Sequence, residues 1–132
     1  MFRHIPFGMS DKKEFTIERT FRASPTILFK FLTTPSGLVQ WFADHVDRTG
    51  DLYSFFWNGA EEKASIASQQ EDEMLRLEWE DDDHYIEYRI DKSEVTGETI
   101  LFVTDFAEDD EMDDQMQLWE SQLDALAKCM GG

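Results

Sequence analysis

Residues 112–130 read MDDQMQLWESQLDALAKCM, and the reading of this stretch decides the fold. Its apolar positions are Met112, Met116, Trp119, Leu123, Leu126 and Met130, at intervals of 4, 3, 4, 3 and 4 residues. An α-helix collects positions so spaced into one stripe, because side chains three and four apart stack on the same side of the turn. Glu108, Asp109, Asp110, Glu111, Asp113 and Asp114 crowd its start and Lys128 stands near its end, the sense that the helix dipole favours. Gly131 supplies a stop just beyond. Such a helix spans about 28 Å, enough to cross a small domain. With fewer than three heptads it is too short for a coiled-coil seam. Nearly everything before it reads as strand, so its expected task is to cover a sheet.

Moving back along the chain, two-residue alternation dominates. Residues 98–106 set Ile100, Phe102, Thr104 and Phe106 against Leu101, Val103 and Asp105. Residues 84–90 place Ile86, Tyr88 and Ile90 on one side, and 74–80 place Leu75, Leu77 and Trp79 on one side. Each pattern is that of a half-buried strand. Further strands are expected over 61–69, 52–57 (Tyr53, Phe55 and Trp57 inward) and 45–48, with Asn58-Gly59 as a type I′ hairpin turn because both positions need positive φ. At the start, 13–22 alternates with Phe15, Ile17, Arg19 and Phe21 on one face. Between first and second strands, Ser24-Pro25 is an N-cap followed by proline at the first helical position. Ile27 to Leu32 and, after Pro35, Ser36 to Ala43 read as two short helices, Gly37 weakening the second. Residues 13–130 are expected to form a single domain and 1–12, broken by Pro6 and Gly8, an N-terminal arm.

The 132 residues fit one hydrophobic core, and 41% hydrophobic with 14% aromatic content excludes a disordered acidic tail. A net charge of −17 disfavours nucleic acid and anionic membrane surfaces, which are held by Lys and Arg. Cys129 is the single cysteine, so no internal disulfide forms and a reducing, cytoplasmic setting is expected. No signal peptide and no membrane-spanning apolar run are read in the chain.

Several segments stand in a familiar order: Phe15-Thr16-Ile17-Glu18; Ala23-Ser24-Pro25 with Leu28-Phe29 and Leu32; Thr33-Thr34-Pro35-Ser36-Gly37-Leu38; Trp41-Phe42-Ala43; Gly50-Asp51; Phe55-Phe56-Trp57-Asn58-Gly59; Leu75-Arg76-Leu77-Glu78-Trp79; and Leu118-Trp119 with Leu123 and Leu126. Their order resembles the helix-grip fold of the START and birch-pollen-allergen superfamily, in its branch related to activators of a heat-shock protein ATPase. Val103-Thr104-Asp105-Phe106-Ala107 before an acidic run is similar to a group of compact bacterial START-like proteins. The resemblance implies an α+β fold, a curved antiparallel sheet of about six to seven strands packed on a long C-terminal helix, with two short helices after the first strand. It further implies non-enzymatic binding of a small hydrophobic or lipid-like ligand between sheet and helix. An adaptor or co-chaperone-like interaction domain is the alternative, and a cyclase-like enzyme the second. Carried onto this chain, the implied lining is Phe29, Trp41, Phe55, Trp57, Trp79, Tyr88, Phe102, Met116, Trp119 and Leu123; each fits a plain core equally well.

Arg19 joins the ligand candidates on separate grounds. It shares a face with three apolar residues, where an unpaired charge is costly, so it either anchors a ligand headgroup or pairs with an acidic residue at the sheet edge; the pair is favoured. No metal or cofactor is expected: His4, His45 and His84 are isolated, Asp81-Asp82-Asp83 lacks the alternation and glycine of a calcium loop, and no glycine-rich phosphate loop is present. Asp105, or His45 with Asp44 or Asp47, is the available acid–base chemistry, with Asp105 expected to face water. Phe56, Leu101 and Val103 are the outward residues on which a protein partner or a homodimer edge would rest, so the chain is expected to be a monomer or a homodimer.

Overall fold

The alternation between residues 13 and 107 resolves into seven strands. In a computed structural model of the protein the described residues are 12–131, so the expected arm over 1–12 falls, apart from Lys12, outside them. The strands are β1 (Lys13–Phe21), β2 (His45–Thr49), β3 (Leu52–Trp57), β4 (Ala60–Gln70), β5 (Met74–Trp79), β6 (Tyr85–Lys92) and β7 (Thr99–Ala107). Helices α1 (Pro25–Thr33) and α2 (Pro35–Leu38) follow β1, and α3 (Met112–Cys129) follows a single 3-10 turn at Asp109–Glu111. The order across the sheet is β1-β7-β6-β5-β4-β3-β2, with every neighbouring pair antiparallel. The α+β architecture expected from the sequence is therefore the one observed.

Local chemistry explains each junction. Ser24 Oγ accepts from the Ile27 N–H at 3.2 Å, capping α1 ahead of Pro25. Thr34 serves two helices at once, its hydroxyl donating to Lys30 O (2.7 Å) and accepting from the Gly37 N–H (3.1 Å). Gly37 is no mere weakness here. A Cβ on it would stand 2.6 Å from Phe31 Cα, so only glycine lets α2 close against α1. The helix expected over 36–43 stops at Leu38. The N–H groups of Trp41, Phe42 and Ala43 all turn back onto Leu38 O, and a bond from Trp41 Nε1 to Phe31 O (2.9 Å) holds the loop inward. Asn58 (φ 51°) and Gly59 (φ 83°) have the paired positive φ of the expected hairpin turn.

One face of the sheet is covered by helices, and its side chains form the core. Paired residues of antiparallel neighbours point the same way, so register identifies this face: Ile17 opposite Val103, Tyr88 opposite Val103, Leu75 opposite Tyr88, and Ala64 opposite Trp79. Over it lie Trp119, Leu123 and Leu126 of α3, all fully buried, with Leu28, Phe29 and Leu32 of α1. Each fully buried Leu contributes about 1.5–3 kcal/mol relative to exposure.

Four expectations for this face are corrected. On β7 the buried residues are Leu101, Val103 and Asp105, whereas Phe102 is half-buried on the open face between Glu18 and Arg89. Both faces of β7 are rich in apolar residues, so hydropathy does not choose between them, and an inward Phe102 puts Asp105, by parity, on the outward side. It is instead buried, accepting from Trp119 Nε1 at 2.8 Å. Leu101 and Val103, expected outward, are fully buried. Met116 is 37% exposed. At 100° per residue it sits about 60° round the helix from Trp119, at the stripe's margin, where the sheet no longer reaches it.

Candidate functional site

Between α3 and the loop 39–44 opens a cleft of about 410 Å³. Trp41, Phe42 and Trp57 form its aromatic part, Leu118, Ser121, Gln122 and Ala125 of α3 its far wall, and Val39, Gln40, Ala43, Asp44 and Asn58 its rim. Hydrogen bonds make the near wall rigid. Phe42 O accepts from both Trp57 Nε1 (2.8 Å) and Gln122 Nε2 (3.3 Å), joining loop, sheet and helix at one atom. Asp44 Oδ2 accepts from the Asn58 N–H at 2.8 Å, which fixes this carboxylate at the mouth. Gln122 Oε1 is buried, with no hydrogen-bond partner among the described residues.

Behind the cleft the rings continue into the interior. Phe42 stacks on Trp119 (6.0 Å) and meets Phe55 and Trp57 edge-on (5.1 and 5.4 Å); Phe55 meets Trp79 (5.9 Å), and Tyr88 lies edge-on to Trp119 (6.1 Å). These separations lie within the contact range for aromatic pairs, about 4.5–7 Å. Of the residues proposed from the sequence, Trp41 and Trp57 line the cleft. Phe29, Phe55, Trp79, Tyr88, Trp119 and Leu123 belong to the buried core behind it. Phe102 is on the opposite face of the sheet and Met116 faces solvent, so neither stands between sheet and helix.

Arg19 has acidic partners on α3. Its guanidinium bonds Glu120 Oε1 (2.5 Å) and Asp124 Oδ1 (2.9 Å), clamping the helix to the edge strand. Burial works against the charged guanidinium, but these two carboxylates outweigh it and its pKa is raised. Asp105 is engaged at both oxygens, by Trp119 Nε1 and by the Phe106 N–H. His45 and Asp47 pair at 3.2 Å in full view of solvent. Burial pushes the Cys129 thiol up, away from nucleophilic character. Among the described residues no group of three or more His, Cys, Asp or Glu stands ready to hold a metal ion, and no helix is long and apolar enough to cross a membrane.

Sequence reasoning did not find Gln122, Ser121, Asp44 or Asn58 as parts of one site. Gln122 lies at the margin of the α3 stripe opposite Met116, and its bond to Phe42 spans 80 residues, so no local spacing announces it. The only advance signal was the Asn58-Gly59 turn.

Comparison with known proteins agrees with the fold. A family model described as a START-like superfamily domain matches residues 9–132. A Bacteroides fragilis protein, BfR322, is 33% identical, with a TM-score of 0.65 over 92% of this chain and 93% of its own. Aha1 from Colwellia psychrerythraea, solved as a dimer, superposes with a TM-score of 0.76 at 18% identity, over 87% of this chain and 93% of its own. CalU16 from Micromonospora echinospora is 21% identical, with a TM-score of 0.70 over 98% of this chain and 80% of its own. Among curated proteins no sequence matches significantly. With the family model spanning both the sheet and the helix that covers it, this chain belongs to the START-like superfamily.

Proposed function

We propose that the protein binds a small, largely apolar ligand in the cleft between α3 and residues 39–44, without chemical turnover. The observation that carries this reading is the cleft itself: about 410 Å³, with Trp41, Phe42 and Trp57 presented by a hydrogen-bonded wall. That volume falls in the range of small-molecule sites, roughly 300–1,000 Å³, which combine apolar walls with a few fixed polar groups. Relative to the sequence-based expectation, the ligand moves from the sheet–helix interior, where aromatic rings meet one another, to the rim of that interior. The adaptor reading is less well supported: Leu101 and Val103, two of its three anchoring residues, are buried, and the likeness to dimeric Aha1, at 18% identity, carries the fold alone.

Native mass spectrometry of freshly purified protein tests the proposal, with Ala125→Phe as the variant that fills the cleft from its helical wall. A bound small-molecule mass on the wild type, lost in an Ala125→Phe protein that still melts cooperatively, is expected. Overturning it would take a wild type that carries no such mass and whose tryptophan fluorescence no small apolar probe alters.

A further inference from the structure

The polar atoms around the cleft are unevenly spent. Most of its donors are used inside the protein: Trp41 Nε1 on Phe31 O, Trp57 Nε1 and Gln122 Nε2 on Phe42 O, Gln40 Nε2 on Ser36 O, and the Asn58 N–H on Asp44; the Ser121 hydroxyl and the Asn58 side-chain amide, both exposed, are not. Acceptors remain. Among the described residues Asp44 bonds Asn58 through Oδ2 alone, leaving the other oxygen of an exposed carboxylate at the mouth, whereas Gln122 Oε1, also without a partner among them, is closed off from solvent. Among the described residues Asp44 is also the only charged one lining the cleft, and none of the lining residues described is a Lys or Arg that could meet an anion. The helical wall adds to this field, since α3 carries Asp113, Asp114, Glu120 and Asp124 against Lys128, with Arg19 offsetting part of it. The whole chain stands at −17. Indole faces, in turn, attract cations through their ring quadrupoles.

We propose that the ligand this cleft selects is an amphipathic organic cation, an apolar body carrying a primary ammonium group, and that carboxylate- and phosphate-headed amphiphiles are rejected. The apolar body lies against Trp41 and Trp57. The ammonium donates to Asp44, which its bond to Asn58 holds in place. This inference rests on the cleft being a ligand site and names the chemistry that the site prefers.

The test is a titration of the full chain with hexylamine, 1-hexanol and hexanoate, read at the indole N–H resonances of Trp41 and Trp57 by NMR. Hexylamine is expected to bind at least tenfold more tightly than hexanoate, with 1-hexanol between them and the gap narrowing as salt is added. Asp44→Asn keeps an acceptor for the Asn58 N–H and removes the charge; it should shrink the gap at least threefold. Glu94→Gln, an equal change in net charge at an exposed turn far along the chain, should leave the gap intact. Hexanoate binding as tightly as hexylamine, or a gap that Glu94→Gln closes as much as Asp44→Asn does, overturns the cation preference while leaving the cleft a ligand site. If 1-hexanol and hexylamine both leave the two indoles unmoved, the ligand-binding reading falls with it.

Discussion

Trp119 Nε1 donates to Asp105 Oδ2 across 2.8 Å, and both residues are shut off from solvent. A helix that covers a sheet through apolar contacts alone can slide; one whose central indole must find a single carboxylate has a set position. The bond also explains why a charged residue sits on the buried face of β7.

Replacing that carboxylate should therefore cost more than its small size suggests. Asp105→Ala deprives a buried indole of this acceptor, and a loss of about 1–3 kcal/mol is expected in urea unfolding. Asp105→Asn retains an acceptor and should lose less. Equal losses for the two would show that the hydrogen bond is not what matters at this position.

The clamp at Arg19 should behave differently, because its partners Glu120 and Asp124 are largely exposed. Arg19→Gln is expected to cost about 1 kcal/mol at low ionic strength. The loss should shrink when salt is raised, since water-facing charges are screened. A double-mutant cycle with Glu120→Gln, run at two salt concentrations, measures the coupling directly.

A pH-dependent contribution is expected from Asp82, whose side chain is nearly buried between Lys12 Nζ (2.9 Å) and His84. Burial alone would raise its carboxyl, but the hydrogen bonds from Lys12 and His84 outweigh it and hold it below the ordinary carboxylate value of 3.8. A carboxyl depressed in the folded state stabilises fully above its unfolded pKa, and this stability disappears as pH falls through the folded value. The stability difference between wild type and Asp82→Asn should thus be about 1–3 kcal/mol near neutrality. It should close below about pH 4. A difference that is flat from pH 6 to strongly acid conditions would contradict this assignment.

Two glycines make a contrasting pair. Gly37→Ala places a Cβ 2.6 Å from Phe31 Cα and 2.7 Å from Lys30 O, both backbone atoms, so α1 and α2 must separate. A cost of about 1–3 kcal/mol is expected, as for other overpacked sites. Gly59→Ala meets nothing within 4 Å and strains only a positive φ of 83°, at a cost of about 1 kcal/mol. Thermal melts should rank the two variants in that order.

How much of this was readable in the sequence depends on how local each cause is. Tyr53, Phe55 and Trp57 announced their face as a run of aromatic residues at every second position, and the structure buries all three; Asn58-Gly59 announced its turn because few other dipeptides tolerate paired positive φ. Arg19 among apolar neighbours announced an acidic partner, although nothing local pointed to α3. β7 was ambiguous because Ile100, Phe102 and Phe106 are as apolar as the Leu101 and Val103 they alternate with. Only Trp119, fourteen residues further on, decides the matter. The cleft was the least legible feature, since it exists where residues 39–44 meet 118–125, and Gln122 carries no mark of what faces it.

The pairing of β1 with β7 has a consequence for biosynthesis. Lys13 lies opposite Ala107 and Phe21 opposite Thr99, so of the seven strands of this sheet the first in chain order pairs with the last. Strands β2 to β7 can zip up as successive hairpins while translation continues; β1 must wait with its edge unpaired until β7 has been made. Contacts of such long sequence separation form late and slowly. During that interval the charged side chains of β1, Lys13, Glu14, Glu18 and Arg19, are what keep a nascent edge from recruiting another chain.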